Sequence, residues 1–169
     1  AEKLGFKIKL LGKAKELTDG NLYIIVAPFL VPEDSQFANV DNVFNAIMVE
    51  GDAIGETIFY GKGAGKLPTA SAVVADVIDC VKHKARRKYL FWEHSNIDFI
   101  SDYKLAKTSF FVRVKFSDID TLSADLKNAF GEVKLVSDAD QAAFITPEKS
   151  EYEFDKIISE ISKACAIEV

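Results

Sequence analysis

The chain is poor in the residues that build covalent or metal frameworks. Its two cysteines, Cys80 and Cys165, lie far apart and in no Cys-x-x-Cys spacing, which excludes a disulfide scaffold and a cysteine zinc site and fits a reducing cytoplasm. Its two histidines, His83 and His94, have no second histidine or cysteine three or four residues on, so they read as ordinary surface side chains. No apolar run reaches the ~18 residues that a membrane-spanning helix needs. There is no basic surplus either: 21 Lys and Arg against 26 Asp and Glu leave a net charge of −5, which argues against a general nucleic-acid binder. A methionine start and a signal-peptide pattern are both missing, and Ala1-Glu-Lys-Leu-Gly-Phe6 reads like the end of a helix begun upstream; a fragment of a longer protein is expected. Hydrophobic residues at 49% with 28% charged exclude disorder, and a compact chain of this length buries roughly 70% of its unfolded surface, enough for one domain or two small ones.

Most of the specific signal lies in Gly61-Lys-Gly-Ala-Gly-Lys-Leu-Pro-Thr-Ala-Ser-Ala-Val-Val-Ala-Asp-Val-Ile-Asp79. Gly61, Gly63 and Gly65 allow a turn through positive φ and a close approach of backbone to a ligand or to another backbone. Pro68 suits the first turn of a helix. Ala70, Val73, Val74, Val77, Ile78 and Val81 then recur at helical spacing, with Asp76, Asp79 and Lys82 on the other face, so a helix over 70–81 with one buried side is expected. A glycine loop running into a helix N-terminus can hold a phosphate, or it can be a tight turn entering a packed helix. The glycines alternate, so this is not G-x-G-x-x-G, and no Lys-Ser/Thr follows the last of them as in a P-loop.

With its lead-in from Asn42 through Gly51-Asp-Ala-Ile-Gly55 to Asp76, this string closely resembles homoserine dehydrogenases. The likeness runs from about Leu4 to about Ile78 and takes in Lys7-Ile-Lys-Leu-Leu-Gly12 and Val26-Ala-Pro-Phe-Leu-Val-Pro32. It implies the substrate and dimerisation domain of an NAD(P)-dependent oxidoreductase of amino-acid biosynthesis, with Gly65 touching the nicotinamide nucleotide and Gly63 and Ala64 as its companions. Lys66 is near enough to approach a phosphate, though an exposed lysine at a helix entry is the simpler role. The family's catalytic lysine and substrate carboxylates lie in a segment of the type D-x-x-G-x-D-x-x-x-K, which has no match here. By position that lysine falls before Ala1, so no catalytic residue is assigned and the fragment by itself is expected to be inactive. The nucleotide-binding domain, which carries most of the contacts to NADP or NAD, is likewise outside the chain. Glu50, Asp52 and Glu56 fall in the matching region and are read as sheet-edge carboxylates.

Taken in order, residues 7–17 and 22–28 form a hairpin around Asp19-Gly20-Asn21, closed by Pro28 and Pro32, with an exposed loop at Glu33-Asp-Ser-Gln36. Residues 44–49 and 56–60 add two strands, and the four together suggest a mostly antiparallel sheet with one aliphatic face covered by the return helix. If the nucleotide-binding domain is missing, part of the Val73/Val77 face stays uncovered and homo-oligomerisation, as a dimer or higher, is expected. Lys82, Lys84, Arg86, Arg87 and Lys88 crowd the helix end, where cations suit the macrodipole. Residues 89–107 change composition and read as a linker.

From Thr108 a second unit begins. Phe110, Val112, Val114 and Phe116 alternate as in a half-buried strand; Ile119, Leu122, Leu126 and Ala129/Phe130 keep helical spacing between a Ser117 or Asp118 cap and Gly131. Short strands at 133–136 and 142–146 flank Ser137-Asp-Ala-Asp140. Ser150-Glu-Tyr-Glu153 is a capping box for a helix bearing Phe154, Ile157, Ile158, Ile161 and Ala164/Cys165, and Ala166–Val169 completes the pattern as a strand. The fold class is therefore α+β: an antiparallel sheet with a return helix over 1–88, then a ferredoxin-like βαββαβ domain over 108–169. By its layout and place this domain resembles an ACT domain, an amino-acid-sensing module. That likeness implies an effector such as threonine, although the loop where ACT domains carry a glycine reads Ser117-Asp-Ile-Asp-Thr-Leu122 here. Two functions follow, an oxidoreductase fragment and a non-catalytic regulatory module.

Overall fold

The computed structural model describes residues 1–86, 91 and 93–164 of the chain. They form two compact units, one of Ala1–Glu33 with Ile97–Val169 and one of Asp34–Asn96. Residues 97–107 have no hydrophobic period, which is why they read as a linker, yet their backbone is tied to the start of a strand. Leu22 donates its N–H to Phe99 O at 2.6 Å and accepts from Ser101 N–H at 2.9 Å.

In the first unit, β1 (Phe6–Glu16) and β2 (Leu22–Pro32) form an antiparallel ribbon in register from Phe6 opposite Pro32 to Glu16 opposite Leu22. The turn closes as its residues dictate. Leu17 N–H donates to Asn21 O at 2.8 Å, Asp19 accepts the Asn21 N–H at 3.0 Å, and Gly20 takes φ 81°. Pro28 does not close β2 but sits inside it, opposite Leu10. The closing bond at Leu17 and Asn21 makes alternate pairs hydrogen-bonded, so Leu22, Ile24, Val26, Pro28, Leu30 and Pro32 turn their backbone nitrogens to the outer rim, where a proline forfeits no ladder bond. Tyr23 and Val31 are buried, whereas Ile8, Leu10, Ile24 and Val26 stand in solvent.

The same unit contains β5 (Phe111–Lys115), α2 (Ile119–Phe130), β6 (Lys134–Asp138), β7 (Gln141–Ile145) and α3 (Glu151–Ala164). The sheet order is β5-β7-β6 with antiparallel neighbours, the split arrangement of a ferredoxin-like fold. Its core is Val112 and Val114 of β5, Leu122, Leu126 and Phe130 of α2, Ala142 and Phe144 of β7, and Ile161 of α3. Of the two possible caps for α2, Asp118 serves: its carboxylate accepts the Thr121 N–H at 2.9 Å. Gly131 at φ 82° ends the helix. The capping box is formed as expected, with Ser150 N–H donating to Glu153 at 2.9 Å and Glu153 N–H to Ser150 Oγ at 3.2 Å. The strand expected over Ala166–Val169, like Cys165, Arg87 and Lys88, lies outside the described residues.

The second unit has β3 (Phe44–Gly51) antiparallel to β4 (Gly55–Lys62), followed by α1 (Lys66–Lys82). The four strands do not make one sheet; β1 with β2 and β3 with β4 are separate two-stranded sheets. After Pro32 a 3-10 turn at Gln36–Asn39, capped by Ser35, follows in the chain. The apolar stripe of α1 is formed but not buried. No α1 residue is buried, and Val73, Val77 and Val81 are 58%, 57% and 69% exposed.

Candidate functional site

The glycine turn between β4 and α1 is built by three different backbone demands. Gly61 lies in β4, paired with Asn45 of β3, and a Cβ there would meet nothing within 4 Å. Gly63 donates its N–H to Val43 O at 3.2 Å, and a Cβ on it would sit 2.2 Å from Asn45 Nδ2. A side chain at Gly63 therefore requires the exposed Asn45 amide to move aside. Gly65 is the N-cap of α1 at φ 122°, ψ 155°, a region essentially reserved for glycine. Of the three, only Gly65 has positive φ. The freedom that the three glycines allow is thus used as positive φ only at Gly65, whereas strand pairing holds Gly61 and the bond to Val43 holds Gly63.

Gly63, Ala64 and Gly65 are all exposed. Thr69 N–H closes on Gly65 O at 3.1 Å, while Pro68, third in the helix, has no N–H. Among the first helical donors, those of Lys66 and Leu67 precede any intrahelical partner. No side chain caps this end and no acidic residue stands in the first turn. The arrangement has the polarity an anion requires, with Lys66 at the entry. On the β3–β4 face below it, Phe44 and Tyr60 stack at 5.0 Å between centroids and Lys62 Nζ lies 5.8 Å from the Phe44 ring.

The carboxylates of the second unit do not converge. Glu50 and Glu56 are paired opposite one another at the exposed tip of the β3–β4 hairpin, and Asp52 is engaged by its neighbour's Ala53 N–H at 2.8 Å. No group of three or more His, Cys, Asp or Glu among the described residues could hold a metal ion. His83 caps the C-terminus of α1, its Nδ1 3.0 Å from Asp79 O and 2.9 Å from Asp79 Oδ1. Sequence reasoning missed Asn45; its only signal is its place in β3, in register with the glycine-rich end of β4.

A second concavity, of about 690 Å³, lies within the first unit, walled by Ile25 and Phe29 of β2 and by Phe110 and Ile145, with Tyr23 and Glu151 on its border. Burial, then the charge of Glu151, raises the Tyr23 hydroxyl above its ordinary pKa.

The fold is thus an α+β chain in which a glycine turn feeds an exposed helix and a ferredoxin-like module stands in a separate unit. The "Homoserine dehydrogenase" family model matches residues 1–78. A homoserine dehydrogenase of Neisseria gonorrhoeae is 54% identical over 82 residues, 48% of this chain and 19% of that protein. One from Synechocystis sp. is 36% identical over 145 residues, 78% of this chain and 33% of that protein. Among solved structures, a homoserine dehydrogenase from Thiobacillus denitrificans superposes with a TM-score of 0.74 at 29% identity, covering 96% of this chain and 40% of that one. One from S. aureus gives 0.70 at 30% identity, covering 94% and 40%. Residues 1–78 match the homoserine dehydrogenase family, and over most of its length the chain is similar to members of that family. It spans a third or less of the length of these curated relatives and 40% of these solved ones.

Proposed function

We propose that the chain is the C-terminal portion of a homoserine dehydrogenase, the cytoplasmic NAD(P)-dependent oxidoreductase that interconverts L-homoserine and L-aspartate 4-semialdehyde in threonine, methionine and isoleucine biosynthesis. Residues 1–88 are its part of the catalytic and dimerisation domain and residues 108–169 an ACT-like regulatory domain. The observation that carries the reading is the match over residues 1–78, whose glycine turn, Gly63 to Gly65, is exposed.

This exposed turn is assigned to one edge of NADP or NAD. The cofactor supplies hydride chemistry, and this chain's contribution is contact and position. Gly65, with no Cβ, lets backbone lie against a flat ring, Gly63 and Ala64 line the approach, and the N-terminus of α1 with Lys66 favours a negative charge nearby. None of these groups moves a proton, so the acid that serves the carbonyl oxygen belongs to another part of the protein. The exposed stripes of α1 and of the β1–β2 ribbon are the surfaces through which the protein assembles, as a dimer or higher.

The test is turnover of homoserine with NADP. The chain alone is expected to give none, and the complete protein bearing Gly65→Val is expected to lose cofactor affinity at least tenfold, about 1.4 kcal/mol. Normal turnover by the chain alone refutes the proposal. A second reading, an amino-acid-sensing regulatory or dimerisation module without catalysis, is favoured by the β5-β7-β6 order. Calorimetric titration with threonine, methionine and isoleucine tests it, and absence of heat with all three removes the sensing role and leaves residues 108–169 a structural or dimerising one.

A further inference from the structure

Residues 97–105 connect two elements of the first unit that are otherwise far apart in sequence. On one side they hold the start of β2 through a parallel bridge between Leu22 and Ile100, using the outward-facing backbone of Leu22. On the other they hold the start of α3. The Asp102 carboxylate accepts the Tyr152 hydroxyl at 2.8 Å, and Lys104 Nζ lies 2.8 Å from Glu151 Oε1. Between the two, Asp102 caps a 3-10 turn at Tyr103–Leu105 by accepting the Lys104 N–H at 3.0 Å. The Lys104 ammonium also lies 5.9 Å from the Tyr103 ring centroid and 5.8 Å from that of Tyr152.

The electrostatics agree with the geometry. The Lys104 N–H and the Tyr152 hydroxyl hold Asp102 below the usual carboxylate range, and Glu151 raises Lys104. Tyr23, next to Leu22, feels the charge of the same Glu151. Start of β2, strap and first turn of α3 therefore share one polar cluster.

We propose that residues 97–105 are a coupling strap, through which a change at the first turn of α3 alters the hold on the turn end of the β1–β2 ribbon, and the reverse. Its contacts are exposed or half-exposed, so each is weak and the strap opens well before the core around Phe144 and Leu126 does. A weakly held element gripped from two sides is what two sites can both bias. The inference stands on these contacts alone and does not require the module to bind an amino acid.

Amide hydrogen exchange in the 169-residue chain tests it. In Tyr152→Phe and in Lys104→Gln, exchange at Leu22 and Ser101 is expected to quicken about 3- to 10-fold while Phe144 and Leu126 keep their rates. Coupling is reciprocal, so Leu22→Pro, which removes the N–H that reaches Phe99, is expected to quicken exchange at Phe154, whose N–H bonds Ser150 O at 2.9 Å. Unchanged rates at Leu22 and Ser101 in both Tyr152→Phe and Lys104→Gln overturn the proposal. So does a uniform quickening of every amide, which is general destabilisation rather than coupling.

Discussion

Replacing the three glycines one at a time by alanine separates the backbone demands of the turn. At Gly65 the new Cβ meets Pro68 Cδ at 3.5 Å, an ordinary contact, so crowding costs nothing and the backbone decides. At φ 122° and ψ 155° an alanine is strained by about 1–3 kcal/mol, which is roughly a 5- to 150-fold shift in the opening equilibrium of the first turns of α1. At Gly63 the Cβ meets the Asn45 amide nitrogen at 2.2 Å. That amide is the end of an exposed side chain, held to Val43 O by one long contact of 3.5 Å, so it swings away for about 0.5–1 kcal/mol. At Gly61, in open strand, the change stays within about 0.5 kcal/mol. The assay is amide exchange at Thr69, whose N–H bonds Gly65 O at 3.1 Å, expected to quicken most in Gly65→Ala. Adding Asn45→Ala to Gly63→Ala is expected to restore the lost stability, because the clash partner is gone. Equal exchange at Thr69 in Gly61→Ala and Gly65→Ala would refute the account of the turn.

Three further outcomes are expected. Leu126→Ala, at a core position 1% exposed, should cost about 2–5 kcal/mol, read as a lower urea midpoint at unchanged slope. Asp118 and Glu153, held below the ordinary carboxylate range by Thr121 and Ser150 respectively, stabilise the folded chain above their unfolded pKa. That contribution is lost as pH falls through their lowered folded values, so Asp118→Asn with Glu153→Gln should flatten the acid limb of Tm against pH. Val73→Glu with Val77→Glu should convert a self-associated chain to monomer in sedimentation; an unsubstituted chain that is already monomeric contradicts the assembly proposed for this face.

What was legible in the sequence is what short-range chemistry decides. The Asp19-Gly20-Asn21 turn, the Ser150/Glu153 capping box, the Gly131 stop and the 3.6-residue period of α2 and α3 each involve residues within a few positions of one another. What was not legible depends on partners distant in the chain. The crowding at Gly63 comes from Asn45 across the hairpin, and the packing of residues 97–105 comes from Leu22 and from Glu151 and Tyr152. The stripe on α1 marks an apolar face without saying what covers it. Alternation along residues 7–60 marks strands without saying which edges join, so two ribbons were read as one sheet.

The outward placement of Pro28 and Pro32 has a consequence for how this protein keeps to itself. A two-stranded ribbon offers both rims to any extended peptide, and the two strands are guarded differently. β1 carries Lys7, Lys9, Lys13 and Lys15, whereas β2, Leu22–Pro32, has no charged residue at all. Along the outer rim of β2 the prolines take away two donors and the bridge to Ile100 occupies a third position, leaving too broken a row of N–H groups for a foreign strand to zip along. Exchanging Pro28 for valine would mend that row and turn a guarded rim into a template for fibrous aggregation.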